Sequence, residues 1–178
     1  MNAFADFVSA AEALVAAGYT DRGRIVAHGR SAGGMLVGAA LNMAPDLFAG
    51  VVADVPFVDV LNTMLDAELP LTPPEWLEWG NPISDADAFV RIRSYAPYEQ
   101  VGPEFYPAVL ATAGLADPRV TYWEPAKWIL RLRDRTGGGP FLFVTEFHAG
   151  HSGSEGRLRQ LGHRAREIVF ALRCVGLA

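Results

Sequence analysis

Seven consecutive residues, Ala49-Gly50-Val51-Val52-Ala53-Asp54-Val55, constrain the fold more than any other stretch of this chain. Apart from one acid the run is apolar without alternation, so as a strand it is buried on both faces, and such strands belong inside parallel sheets covered by helices on each side. The neighbouring segments fit that architecture. Phe4, Phe7, Val8, Ala11, Leu14 and Val15 recur at helical spacing and Gly18 follows as a stop. Arg24 to His28 reads as a short strand, Gly34 to Asn42 as a helix closed by Ala44-Pro45, and Pro107 to Ala113 as a second buried strand. Tyr122 to Arg133 is expected to be a helix, Pro140 to Phe147 a strand, and Arg157 to Val175 a closing helix. Leu69 to Tyr98, with Pro70, Pro73, Pro74, Pro82 and Pro97, is expected to be irregular. Strands alternating with helices predict an α/β fold around a mainly parallel sheet.

At 178 residues with 51% hydrophobic content, the chain has the size of one domain with a substantial core, and no linker or repeat divides it. A net charge of −5 with scattered Lys and Arg offers no field for a phosphate backbone, so nucleic acid is not an expected partner. No apolar run has the length of a membrane span, and the N-terminus MNAFADF lacks the order of a signal peptide. The single Cys174 excludes an internal disulfide, reads as a buried structural thiol, and fits a reducing, cytoplasmic location.

Between the first predicted strand and the helix after it lies Gly29-Arg30-Ser31-Ala32-Gly33. A Gly-x-Ser-x-Gly pentapeptide alone is weak evidence, and the plain alternative is a glycine-rich turn. At a strand-to-helix junction it takes on the context of a nucleophile elbow, a sharp turn that lifts the serine above the sheet while glycines remove Cβ clashes. A serine hydroxyl is a poor nucleophile at neutral pH, so Ser31 needs a base and a group that orients the base. On an α/β-hydrolase sheet these follow in the order Ser, Asp, His. Asp117 lies just past the strand ending at Ala113, and His151 lies on the glycine-flanked loop after the last strand. His148 competes with His151 but sits close to the strand, where capping or packing is the expected role. His28 is expected to pack and His163 to lie on the surface; Asp54 and Asp59 follow the strand after the elbow and are weaker candidates for the acid. No His, Cys or acid spacing along the chain suggests a metal site, and no cofactor is expected.

Longer blocks carry more than the motif. "GRSAGGMLVGAALNMAPDLFAGVVADVPFVDVLNTMLD", "PLTPPEWLEWGNP", "SYAPYEQV", "YPAVLATAGLADPRVTYWEPAKWILRLR" and "AGHSGSEGR" resemble, in order and over essentially the whole chain, the catalytic domain of the oligopeptidase B branch of the prolyl oligopeptidase family of serine peptidases. The resemblance implies an α/β-hydrolase fold and hydrolysis of short peptides after Arg or Lys, with Ser31 as nucleophile, Asp117 as acid, His151 as base and the Ala32 N–H as an oxyanion donor. It also implies that Glu75 and Glu124 line the pocket for the basic side chain and that Arg119 holds a substrate carbonyl. Carboxylates suit that task because they bind guanidinium through charge-assisted, often bidentate hydrogen bonds. Where relatives carry a second acid, this chain has Leu77, with Glu78 beside it as a substitute.

The family delivers its nucleophile after the fifth strand, whereas one strand precedes Ser31 here. Chain 1–178 therefore reads as the C-terminal part of the catalytic domain, and the preceding strands, a tyrosine oxyanion donor and the β-propeller are expected to be absent from it. Loss of one oxyanion donor costs about 3 to 4 kcal/mol in related chemistry. The isolated chain, with an apolar edge on its first strand, is then expected to be poorly soluble or to need the rest of the domain or a partner fragment. An esterase acting on small acyl esters and a catalytically inactive fragment are the alternative readings.

Overall fold

The computed structural model describes residues 2–153 and 156–178. Helix α1 (Asn2–Ala16) buries Phe4, Val8 and Ala11 and ends at Gly18, whose φ of 74° lets Tyr19 N–H return to the Leu14 carbonyl. Strand β1 (Ile25–Arg30) leads through Ser31 into α2 (Ala32–Met43), and a 3-10 turn (Pro45–Leu47) feeds β2 (Phe48–Asp54). After α3 (Val60–Leu65), α4 (Thr72–Trp79) and α5 (Ala86–Arg93) come β3 (Phe105–Tyr106) and β4 (Ala108–Gly114). The chain closes with α6 (Trp123–Arg135), β5 (Gly137–Gly138), β6 (Phe141–Glu146) and α7 (Arg157–Cys174).

Four strands form the main sheet in the order β1-β2-β4-β6, every neighbouring pair parallel. β3 and β5 make a separate two-residue pairing. Side chains alternate across the sheet as a strand requires. Ala27, Val51, Ala53, Val109, Ala111 and Phe141 face α1, α2 and α6, where they meet Val37, Leu41, Trp128 and Leu132. Val26, Val52, Leu110 and Val144 face α7 and pack on Phe170 and Cys174. A third apolar cluster, including Phe57, Met64, Trp79, Ile92 and Val120, builds a cap beside the carboxyl ends of the strands. This arrangement, with the serine turn between β1 and α2, is the C-terminal portion of an α/β-hydrolase sheet.

Three expectations change. The segment 69–98 holds α4 and α5 instead of irregular chain. Pro73 and Pro74 sit in the first turn of α4, where a missing N–H costs nothing, and the Asp85 side chain caps α5 by accepting from Asp87 N–H. His28 does not pack: it faces out from β1 with 43% of its side chain exposed. Cys174 is half-buried, with its Sγ against Gly50.

Candidate active site

The turn from β1 to α2 is made at Ser31 alone, with φ 55° and ψ −121°, a conformation that costs about 1–3 kcal/mol for an L-residue. Main-chain bonds hold it there. Ser31 N–H donates to the Asp54 carbonyl (3.0 Å), and the Ser31 carbonyl accepts from Gly34 (2.8 Å) and Phe57 (3.1 Å). A Cβ on Gly29 would lie 2.1 Å from the Gly33 oxygen, and one on Gly34 would lie 2.4 Å from Pro56. Gly33 meets open space. The steric demand therefore falls on Gly29 and Gly34, so the second glycine of the pentapeptide is not the one that relieves a clash. The turn also sets Ala32 at the start of α2, where the first N–H groups have no intrahelical acceptor and the helix dipole favours negative charge.

Asp117 follows β4 and its side chain is fully buried. Its Oδ1 accepts from Arg119 N–H (2.8 Å) and Val120 N–H (3.1 Å), leaving Oδ2 at 2.8 Å from His151 Nδ1. On the other side of the ring, His151 Nε2 lies 3.1 Å from Ser31 Oγ. A carboxylate can only accept, so it selects the tautomer with the proton on Nδ1 and turns the Nε2 lone pair to the hydroxyl. The structure thus brings Ser31, His151 and Asp117 into one chain of hydrogen bonds. His148 is exposed and takes no part in it.

Beside Ser31 opens a cleft of about 370 Å³, walled by Phe57, Trp79 and residues 69–72. Glu75, Glu78 and Arg119 line it. Glu75, in the first turn of α4, is half-buried and accepts from Trp79 Nε1 (2.8 Å). The Arg119 guanidinium makes no ion pair among the described residues, and Leu77 is 96% exposed and outside the cleft lining.

Glu124 differs from its expected place. It does not line the cleft but is completely buried behind Thr63 and Thr121, which do. The first turn of α6 directs it inward, so that Oε2 accepts from Asp59 N–H (3.0 Å) and Oε1 from the Thr63 hydroxyl (2.9 Å). Burial pushes its carboxyl up to about 8, against the opposing pull of those donors. Nearby Asp59 is buried and occupied by Lys127 and Asn62.

A further contact joins the two ends of the site. Arg30 donates from Nη2 to the main-chain carbonyl of His151, while its Nε lies 2.9 Å from Asp54 Oδ2. Asp54 also accepts from the Thr112 hydroxyl. In the sequence Asp54 is only a rival acid, and Arg30 carries no signal of this contact because its partner is a main-chain carbonyl. On the α7 face of the sheet, ligand atoms of Asp54, His163 and Glu167 fall within 4.8 Å of one another. The fold thus assembles from β2 and α7 a set of groups that spacing along the chain did not suggest.

Comparison with known proteins accords with this geometry. The profile of the prolyl oligopeptidase family matches residues 1–178. Among curated proteins, dipeptidyl aminopeptidase BI of Pseudoxanthomonas mexicana is 46% identical over the full chain, and Protease 2 of Moraxella lacunata is 46% identical over 99% of it. The chain spans about a quarter of the length of each, 25% and 26%. Among solved structures, oligopeptidase B from Leishmania major superposes with a TM-score of 0.92 at 42% identity, covering 97% of this chain and 24% of that one. Oligopeptidase B from Trypanosoma brucei with covalently bound antipain gives a TM-score of 0.92 at 43% identity over the same shares.

Proposed function

This chain belongs to the prolyl oligopeptidase family of serine peptidases, and from that premise we propose that it carries the nucleophile, base and acid of an oligopeptidase B-type peptidase that cleaves short peptides after Arg or Lys. The observation that carries the proposal is the unbroken relay from Ser31 Oγ through His151 to Asp117, at 3.1 and 2.8 Å. Ser31 Oγ attacks the scissile carbonyl while His151 Nε2 takes the hydroxyl proton, and buried Asp117 stabilises the imidazolium that forms. The carbonyl oxygen becomes an oxyanion near the Ala32 N–H at the positive end of α2. His151 then gives its proton to the leaving amine, which departs and leaves an acyl-Ser31. Water, deprotonated by His151, attacks the ester and restores the serine. Glu75 and Glu78 in the cleft wall receive the basic side chain, and Arg119, free of ion pairs among the described residues, binds a carbonyl of the substrate backbone.

A fluorophosphonate probe tests the relay, because it reports an activated serine without asking for peptide turnover. The folded chain is expected to be labelled at Ser31, with labelling lost in Ser31→Ala and strongly slowed in His151→Ala. Absence of labelling in folded protein would establish the inactive-fragment reading instead. Where turnover is measurable, Glu75→Gln is expected to raise KM for an arginyl amide about tenfold and to leave hydrolysis of a butyryl ester unchanged, since only the first substrate presents a cation. Equal effects on both would favour the esterase.

A further inference from the structure

Helix α7 is apolar on two opposite faces. Phe170 and Cys174 look inward and pack on Val52 and Leu110 of the sheet. On the far side Leu158, Leu161, Ala165, Ile168 and Leu172 form a row that no other element covers among the described residues. All five are exposed, Leu158 at 84% and Leu161 at 54%. Steps of three, four, three and four residues keep the row on one side of the helix, and Val175 continues it by a further three. An unbroken apolar row along a whole helix is more than the single exposed side chains that any surface carries, and it marks an interface.

The spacing is that of heptad a and d positions, with Leu158, Ala165 and Leu172 at a and Leu161, Ile168 and Val175 at d. Two copies of α7 laid antiparallel about a two-fold axis match an a with a d in every layer. Leu158 meets Val175, Leu161 meets Leu172 and Ala165 meets Ile168, and each pair occurs twice, as an isologous contact requires. Beside the axis the smallest residue of the row faces β-branched Ile168, so the two backbones can approach there. Charge selects the direction. The first turn of α7 carries Arg157 and Arg159 and no acid, which puts both cations at the positive end of their own helix dipole, and neither makes an ion pair among the described residues. In the antiparallel pair they lie beside the last turn of the other helix, where unpaired carbonyls favour cations, whereas a parallel pair would bring them against each other. Arg164, on the flank of the row, falls opposite Ala171 of the second copy, so no arginine faces another across the seam.

We propose that the chain dimerises through α7, with two copies packing this helix antiparallel across a two-fold axis. A row that met an unrelated helix would have no need to place its smallest residue beside its own mid-point or cations at the wrong end of its dipole. The interface is one helix face per copy, at the small end of specific interfaces, so the dimer is expected to exchange with monomer in the micromolar range.

Sedimentation velocity of the full chain over about 1–200 μM is expected to show reversible monomer–dimer exchange, with Tm rising as concentration rises. Leu161→Glu combined with Ile168→Glu brings four carboxylates into the seam and is expected to weaken association at least about 100-fold. Both positions are exposed, and equal Tm of parent and double variant at the lowest concentration is the check on folding. For the direction of packing, Leu161→Cys and Leu172→Cys are made separately in a Cys174→Ala background. Oxidation of their mixture is expected to give a disulfide-linked heterodimer, and oxidation of either alone to give little cross-linking. A monomer at every concentration would leave the row to another polypeptide and overturn the proposal. Association that survives the double Glu variant, as pairing at the β1 edge would, or growth beyond two copies, would overturn it equally. Cross-linking of Leu161→Cys with itself, and not with Leu172→Cys, would overturn the antiparallel register. These readouts need no peptidase turnover, so they stand or fall apart from the function proposed above.

Discussion

Arg30 occupies the variable position of the Gly-x-Ser-x-Gly turn, yet its guanidinium ties the carbonyl of His151, 121 residues away, to Asp54. Ser31 and the loop bearing His151 are thereby referenced to one side chain, adjacent to the first and bonded to the second. A charge-assisted hydrogen bond contributes about 1.5–3 kcal/mol, and the partial exposure of Arg30 puts its effect at the lower end. Arg30→Ala is expected to slow fluorophosphonate labelling of Ser31 about tenfold, with Arg30→Lys intermediate because it keeps the charge but loses the fork. Added guanidinium should recover part of the loss, an effect that a general destabilisation would not show. Ser31, Asp117 and His151 were legible in the sequence because each sits just past an apolar strand, so the order of elements implied their convergence. Arg30 was not, because the group it binds is main chain and leaves no mark on residue type. Glu124 shows a related limit: a carboxylate in a family motif declares its charge, while whether it faces the cleft or the space behind it depends on how α6 is rotated.

The rotation of α6 has a thermodynamic consequence at the level of elements. Its first turn drives Glu124 against the Asp59 N–H and Thr63 of α3, and burial raises the carboxyl from an ordinary 4.5 to about 8. Glu99, packed nearby on Asn62, is raised to about 7, chiefly by burial and then by Asp59. Both groups hold protons in the folded state at pH values where the unfolded chain has released them, so folding is favoured at low pH and stability falls as pH rises from about 5 towards 8. Thermal melts are expected to show Tm falling over that interval, and Glu124→Gln, neutral at every pH, should flatten much of the slope. A Tm that rises from pH 5 to 8 would contradict the buried, protonated carboxyl. The sequence disclosed the strands and long helices here through their periodicity. It concealed α4 because its prolines, Pro73 and Pro74, break helices elsewhere and favour them only in the first turn, and α5 because eight residues give little periodicity.

Across the whole molecule, one parallel sheet collects the three residues of the relay. Ser31 follows β1, Asp117 follows β4 and His151 follows β6, with β2 between the first two strands. The outer edge of β1 has no strand partner among the described residues, and it is the edge at which further strands of an α/β-hydrolase sheet would add. Residues 66–68, by contrast, are exposed and lie in the connection between α3 and α4. A single cut there would place Ser31 on one peptide and Asp117 and His151 on the other. The ladder from Gly50–Asp54 to Ala108–Thr112 would remain, as would the core in which Leu41 and Val51 meet Trp128 and Leu132. The nicked molecule is expected to elute as one particle under native conditions, to separate into two peptides only in denaturant, and to keep a reactive Ser31. Covalent continuity of the chain and integrity of the relay are thus separate properties, because the sheet joins what the backbone keeps 120 residues apart.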